Sequence, residues 1–352
     1  LQAQGVLSDE HAIGITNNMD WREPGSGAPL DIAAAQAMLE GQLGWYADPI
    51  YGVGGHHDYP DSMKRLRPYL PAFSDDEKYQ LAASRPDFFG LNHYGTGFVM
   101  VDPATKAASV TEQGIVQGQS AWLYGAAWGF RKLLNWVSRR YGPKTPIVCT
   151  EAGWSTAASS ALEAKYDVGR TMYYYSYLSE AHRAITEDEV HFVGFYAWSL
   201  MDNFEWEMGY EERFGVLYND FEEGVDEGTP GPQTPVYNPY SGQVGGECGL
   251  KCSTSSKPST ARASAQTRHV KNSLLWLQRL WNTSTIPDPA RFLAASLGGD
   301  ICYGRGSYSK GGGAVTCALN LSYPGPIESP AGPRGRAGRG GGAGGRGGPP
   351  PP

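Results

Sequence analysis

Four short runs of unbroken hydrophobicity constrain this chain most: Ile13-Gly14-Ile15, Phe88-Phe89-Gly90-Leu91, Pro146-Ile147-Val148-Cys149, and His191 through Trp198. A strand with one wet face alternates apolar and polar side chains, whereas a strand covered on both faces stays apolar throughout. All four runs therefore read as buried parallel strands. Parallel neighbours cannot be joined by a tight turn, and amphipathic stretches long enough for crossover helices lie between the runs. Residues 121–141 place Leu123, Ala127, Phe130, Leu134 and Val137 on one face and end at Tyr141-Gly142-Pro143, a glycine cap followed by a proline stop. Residues 164–186 carry Val168, Met172, Tyr175, Leu178, His182 and Ile185 at similar spacing, and residues 31–44 and 268–282 are further helix candidates. Strand and helix alternate, which is an α/β architecture.

Beyond Asn282 the texture changes. Residues 295–352 hold 18 Gly, and residues 331–352 contain only Gly, Arg, Ala and Pro, so this tail is expected to stay disordered for want of apolar surface to offset chain entropy. Residues 222–265, rich in Gly, Ser, Thr and Pro, read as a long surface insertion within a domain spanning 1–294. The tail also skews the charge. It contributes four of the 29 Lys and Arg and none of the 36 acids, so the rest of the chain stands at 25 − 36 = −11. A body that acidic is a poor polyanion binder, and nucleic acid is disfavoured as a partner for everything but the tail. There, Arg339-Gly-Gly and Arg346-Gly-Gly read as low-complexity spacer before they read as RNA-binding triplets. Nothing resembles a membrane span or a signal peptide. Five sparse Cys exclude a disulfide scaffold, while Cys248/Cys252 and Cys302/Cys317 as pairs fit an oxidising compartment and free thiols fit the cytosol, so the compartment stays open. The opening residues, Leu1 to Glu10, read as a helix end and a loop, and a fragment of a longer protein is expected.

In a parallel barrel every strand delivers its C-terminal end to one face, so polar residues placed there converge whatever their separation in sequence. Glu151 directly follows a buried run, where a carboxylate is costly unless it is hydrogen-bonded or opens into a cleft. The alternative is an acid that simply reaches solvent. Residues 198–214 mix Trp198, Trp206 and Phe214 with Asp202, Glu205 and Asn203 just after a strand. Aromatic faces stack on a pyranose while carboxylates accept its hydroxyl hydrogens, so this mixture suits a sugar site; an aromatic loop sealing the barrel end is the alternative. His56-His57-Asp58 lies in a Gly-rich loop and reads as loop rather than metal ligands, and His93 and His182 read as packing residues. No metal and no cofactor is called for.

The strings Asp87-Phe-Phe-Gly-Leu-Asn-His-Tyr94, Thr150-Glu-Ala-Gly-Trp154 and Trp198-Ser-Leu-Met-Asp-Asn-Phe-Glu-Trp206, the last followed by Gly-Tyr and Glu-Arg-Phe-Gly215, resemble glycoside hydrolase family 1, the β-glucosidases and their relatives. Trp21-Arg-Glu-Pro24, Trp45 with Asp48-Pro-Ile50, Tyr59-Pro60 and an R-x-x-K-x-S-x-x-W string from Arg268 to Trp276 continue the match over about residues 11–282. The resemblance implies the C-terminal half, about four βα units, of an eight-stranded (β/α)8 TIM barrel. It implies a retaining glycosidase acting on β-glucosides or other β-glycosides. Glu151 would be its nucleophile and Tyr94 the group that orients it, with Asn92, Trp198, Glu205, Trp206 and Phe214 binding the sugar. Two departures stand out. Ala152 occupies a position usually held by Asn, and the family's Asn-Glu-Pro acid/base segment would lie upstream of Leu1, so this chain is expected to be inactive alone. Alternatives are a thioglucosidase, which lacks the acid carboxylate, and a non-catalytic sugar-binding relative.

Overall fold

The computed structural model describes residues 11–221 and 268–296. The insertion expected at 222–265, the tail from 297 onward, and Cys248, Cys252, Cys302 and Cys317 lie outside the described residues. In chain order the elements are β1 (Gly14–Asn18), β2 (Trp21–Pro24) and α1 (Pro29–Leu39), which runs through a π-helical turn (Glu40–Gly44) into α2 (Trp45–Tyr51). Then come α3 (Asp61–Leu66), α4 (Asp75–Ala83), β3 (Phe88–Asn92), β4 (Thr96–Val101), β5 (Ala108–Thr111), β6 (Val116–Gln117), β7 (Tyr124–Gly125) and α5 (Ala127–Tyr141). The remainder is β8 (Ile147–Ala152), α6 (Ala161–Lys165), α7 (Val168–Thr186), β9 (Phe192–Ala197), β10 (Leu217–Asn219), β11 (Arg268–Val270), α8 (Asn272–Thr283) and α9 (Pro289–Ser296).

The four apolar runs form one parallel sheet in the order β1-β3-β8-β9. Each successive unit steps one strand over in the same direction, which is how the wall of a (β/α)8 barrel is built, and four strands make half of one. Helices α2, α5 and α7 cover the outer face. Phe89, Leu91, Ile147 and Cys149 from the two central strands meet Tyr51, Phe130, Leu134, Tyr174 and Tyr177 from the helices, all essentially inaccessible to water.

Full burial on both faces holds only for part of the sheet. On β1, Ile15 is 43% exposed, and on β9, Val193 and Tyr196 are 55% and 65% exposed. Continuous hydrophobicity here marks strands whose far side is left uncovered by the described residues, because the wall turns away from itself without closing.

The helices also differ from their expected extents. Residues 121–126 are not helical, since Tyr124–Gly125 pairs with Val116–Gln117 in a short hairpin. Leu123 is nevertheless buried under it, so the apolar spacing is right and the secondary structure is not. The stretch 164–186 is broken at Tyr166-Asp167, and the face of α7 against the sheet is Tyr173, Tyr174, Tyr177, Ala181 and Ala184. Val168, Met172 and Tyr175 face instead Leu293 from α9 and Trp276 from α8, while His182 and Ile185 are exposed. A helix covered on two sides presents a mixed pattern from which one stripe cannot be picked. Arg268–Val270 is a strand paired with β10, and the helix starts only at Asn272. The sheet β2-β4-β5, whose β2 and β4 follow the ends of β1 and β3, is not among the expected strands, although β4 carries the apolar run Phe98-Val99-Met100-Val101.

Candidate active site

Three strand ends are brought level by the backbone ladder. Asn92 pairs with Glu151 across β3 and β8, and Ala152 pairs with Ala197 across β8 and β9. One step further, the amide of His93 donates to the Glu151 carbonyl at 2.9 Å, and the amide of Trp198 donates to the Ala152 carbonyl at 2.8 Å. The sheet therefore delivers Asn92-His93-Tyr94, Glu151 and Trp198 to one place, although they are spread over more than a hundred residues of chain. Tyr94 donates its phenolic O–H to Glu151 Oε2 at 2.7 Å. Its ring stands edge-on to the stacked pair of Trp122, 5.5 Å away, and Phe214, 6.1 Å away. Burial and the Glu151 carboxylate push the Tyr94 hydroxyl far above the usual tyrosine range, so it stays a donor at any ordinary pH. Beside this pair, Thr150 donates to Asn92 Oδ1 at 2.7 Å, and Thr16 reaches Thr150 at 3.3 Å, a polar row across three strands.

The loop after β9 supplies the rest. Trp198 donates its indole N–H to Glu205 Oε1 at 3.1 Å, and Tyr174 holds the Trp198 carbonyl at 3.2 Å. Glu205 is buried, and that burial, with Glu212 and Glu151 pushing the same way, raises its carboxyl above the ordinary range despite the indole donor. Phe214 is buried behind Tyr94. Trp206 is different: it opens a single helical turn and stands 83% exposed, so the described residues do not gather it into the group.

Glycines allow the loops to come this close. A Cβ on Gly153 would lie 2.0 Å from the Trp198 carbonyl oxygen, and one on Gly215 would lie 2.0 Å from the Asp202 amide nitrogen. Both glycines stand in the strings that carried the resemblance.

Several residues at the site are given no separate role by the sequence, although Asp202, Glu212, Arg213 and Lys271 stand within the strings quoted above. Trp122 is half exposed and stacks on Phe214 at 6.2 Å; its short Ser-Ala-Trp context was absorbed into the helix expected there. Glu212 is buried against Ser120. Under the loop lies a cluster of buried charges, Asp202, Arg213, Lys271, Arg170 and Asp167, which hydropathy reads as surface. His93 is a packing residue: it is fully buried, stacks on Phe130 at 5.1 Å, and has Nδ1 2.9 Å from the Met19 carbonyl. His57 has Nδ1 2.8 Å from the Pro49 carbonyl, and Asp58 pairs with Lys64 and Lys78. Among the described residues no cluster of three or more His, Cys, Asp or Glu is placed to hold a metal ion, and no helix is long and apolar enough to cross a membrane.

With this geometry in view, similarity to known proteins is informative. The sequence model of glycosyl hydrolase family 1 matches residues 2–230. β-Glucosidase 42 of Arabidopsis thaliana is 36% identical over 244 residues, which is 64% of this chain and 48% of that protein. A rice β-glucosidase mutant solved in a covalent complex with Glc aligns with a TM-score of 0.56 and 33% identity, over 61% of this chain and 48% of that one. A family 1 β-glucosidase of the fungus Humicola insolens, solved in complex with glucose, aligns with a TM-score of 0.60 and 31% identity, over 77% of this chain and 51% of that one. The chain thus spans about half the length of the curated relatives it matches. Half a barrel wall, a carboxylate at its carboxyl-terminal rim and a family match through both place this chain in glycosyl hydrolase family 1.

Proposed function

We propose that this chain carries the nucleophile half of a retaining β-glycosidase acting on β-glucosides or closely related β-glycosides. Glu151 attacks the anomeric carbon, a C–O bond forms to its carboxylate, and the bond to the leaving oxygen breaks as that oxygen takes a proton from an acid on the opposite wall. Water then displaces the enzyme carboxylate, giving up its proton to that same opposite group. Two inversions give net retention. Tyr94 holds and aims the Glu151 carboxylate through its phenolic O–H. Asn92, Trp198, Glu205 and Phe214 form the sugar subsite, with Trp198 beneath the ring and Glu205 accepting from its outer hydroxyls, while Trp206, which the family resemblance adds to it, stands outside this group. No metal or organic cofactor enters this reading.

The single observation that carries it is the Tyr94 hydroxyl on Glu151 at 2.7 Å, at the paired ends of parallel strands and beside the Trp198–Glu205 pair. Support also comes from a relative solved in a covalent complex with Glc and another solved with glucose. The second carboxyl of a retaining pair sits about 5 to 5.5 Å from the nucleophile across the mouth, on a wall the described strands do not form. Without that acid, general acid catalysis worth roughly 10²- to 10⁴-fold is lost, together with half the binding site. The 352-residue chain alone is therefore inactive on aryl β-glucosides. Co-expression with the N-terminal half of a relative tests this: β-glucosidase activity should appear in the complemented protein and vanish with Glu151→Gln. Ordinary turnover by the chain alone, or activity that survives Glu151→Gln, would contradict the assignment. If the complementing half must carry Gln in place of its acid for the matched natural substrate, the parent is a thioglucosidase.

A further inference from the structure

The R-x-x-K-x-S-x-x-W string has no part in the chemistry above, yet its residues reach under the site. Lys271 is 1% exposed and donates to Asp202 Oδ1 at 2.8 Å. Asp202, also buried, accepts from Arg213 at 2.9 Å through Oδ2 and from the Gly215 amide at 2.9 Å through Oδ1, and its backbone is tied to Leu217 and Asn219. Two residues on, Ser273 caps Asp167, which pairs with the fully buried Arg170. Arg170 in turn donates to the Trp154 carbonyl at 2.9 Å and to the Arg213 carbonyl at 2.5 Å. One cluster therefore grips the loop that follows Glu151, the two ends of the loop that carries Trp198, Glu205 and Phe214, and the start of α8.

We propose that Lys271 is a positioning residue: through Asp202 it sets the sugar-facing loop, and with it the Trp198–Glu205 pair, in register with Glu151. This rests on the sugar-site reading for its purpose but not for its test.

Burying charge without full pairing is costly, so a cluster kept under a loop needs a reason beyond packing. Here the named cations, Lys271, Arg170 and Arg213, outnumber the two carboxylates, Asp202 and Asp167. Of the three cations only the ammonium can give up its proton readily. Burial and Arg170 pull Lys271 down to about 7, against the opposing pull of Asp202 and Asp167. The groups facing it are thus Asp202 and Arg213 from the loop and Asp167 and Arg170 from the start of α7, with Arg268 and His269 just before it in the chain. The link to Asp202 is an ammonium–carboxylate ion pair below neutral pH and a weaker amine-to-carboxylate hydrogen bond above it.

Indole N–H resonances of the full chain read this directly. Trp198 reports the loop through its bond to Glu205, while Trp21 and Trp136, bonded to Glu23 and Gln36, report the fold elsewhere. In Lys271→Met, and equally in Asp202→Asn, the Trp198 resonance should shift or broaden at pH 6 while Trp21 and Trp136 stay in place, and the double variant should look like either single one. In the unaltered chain the Trp198 resonance should move between pH 6 and 8 with a midpoint near 7, and Lys271→Met should abolish that titration. If Lys271→Met fails to fold, Asp202→Asn and the titration of the unaltered chain carry the test. A Trp198 resonance unmoved by Asp202→Asn and flat across this pH range would overturn the proposal. No substrate is involved, so a failure here is distinct from a failure to find glycosidase activity.

Discussion

At the residue scale the site reduces to one carboxylate and the hydroxyl that holds it. A hydrogen bond to a charged group contributes about 1.5 to 3 kcal/mol. Tyr94→Phe should therefore lower kcat of the complemented enzyme roughly ten- to hundred-fold, at the cost of about 1.36 kcal/mol per decade, with the fold intact by circular dichroism. A smaller KM effect than kcat effect is expected, since Tyr94 touches Glu151, the proposed nucleophile. Phe130 is a contrasting case. It is fully buried among His93, Tyr177, Phe192 and Phe195, so Phe130→Ala should cost about 3 to 5 kcal/mol of stability in urea unfolding, with no direct role at the site. At this scale Glu151, Tyr94 and Glu205 were legible because their strings are distinctive and each follows a buried run. Trp206 was legible as a string but not as a position, because its own loop holds it out in solvent. Lys271 and Arg170 were illegible as site residues, and Asp202, legible in the mixture after β9, gave no hint of its buried ion pairs, because a lone charge in sequence says nothing of the partner that allows its burial.

Among the elements, β8 and the loop after β9 show how backbone approach limits sequence. Gly153→Ala places a methyl 2.0 Å from the Trp198 carbonyl, which must move. Overpacking of this kind costs about 1 to 3 kcal/mol, and the Trp198 indole should report the displacement by NMR. The start of α8 makes a different claim, about pH. A lysine whose proton leaves near 7 when folded and near 10.5 when unfolded binds fewer protons in the native state across that window. Stability from this group alone then rises as pH rises through it, by at most about 1.4 kcal/mol per pH unit, and the penalty is present in full below pH 7. Urea midpoints of the unaltered chain should therefore rise more between pH 7 and 8.5 than those of Lys271→Met; equal slopes would count against a buried, titrating Lys271. Helix identity was readable from apolar spacing in α5, where one face meets the sheet. In α7 it was only half readable, since α8 and α9 cover a second face that a single stripe does not describe.

On the scale of the whole molecule, four parallel strands form half a barrel wall, and the strand order was recoverable because each run pairs with the next one in sequence. Burial was not recoverable at the flanks. Hydrophobicity of β1 and β9 anticipates neighbours that the described residues do not provide, which leaves Ile15, Val193 and Tyr196 in water beside unpaired strand edges. Such edges template association. The chain alone should bind a hydrophobic dye and self-associate, and the complementing half should suppress both. The central claim, that Glu151 is the nucleophile of this half, is tested most directly by covalent trapping. A 2-deoxy-2-fluoro-β-glucoside with a dinitrophenolate leaving group needs no proton donor, so the first step proceeds on the nucleophile alone. After treatment of the complemented protein, peptide mass spectrometry should find a single fluoroglucosyl ester on Glu151 and none in Glu151→Gln. A label on Glu205, Glu212 or any other carboxylate, with Glu151 unmodified, would contradict the assignment.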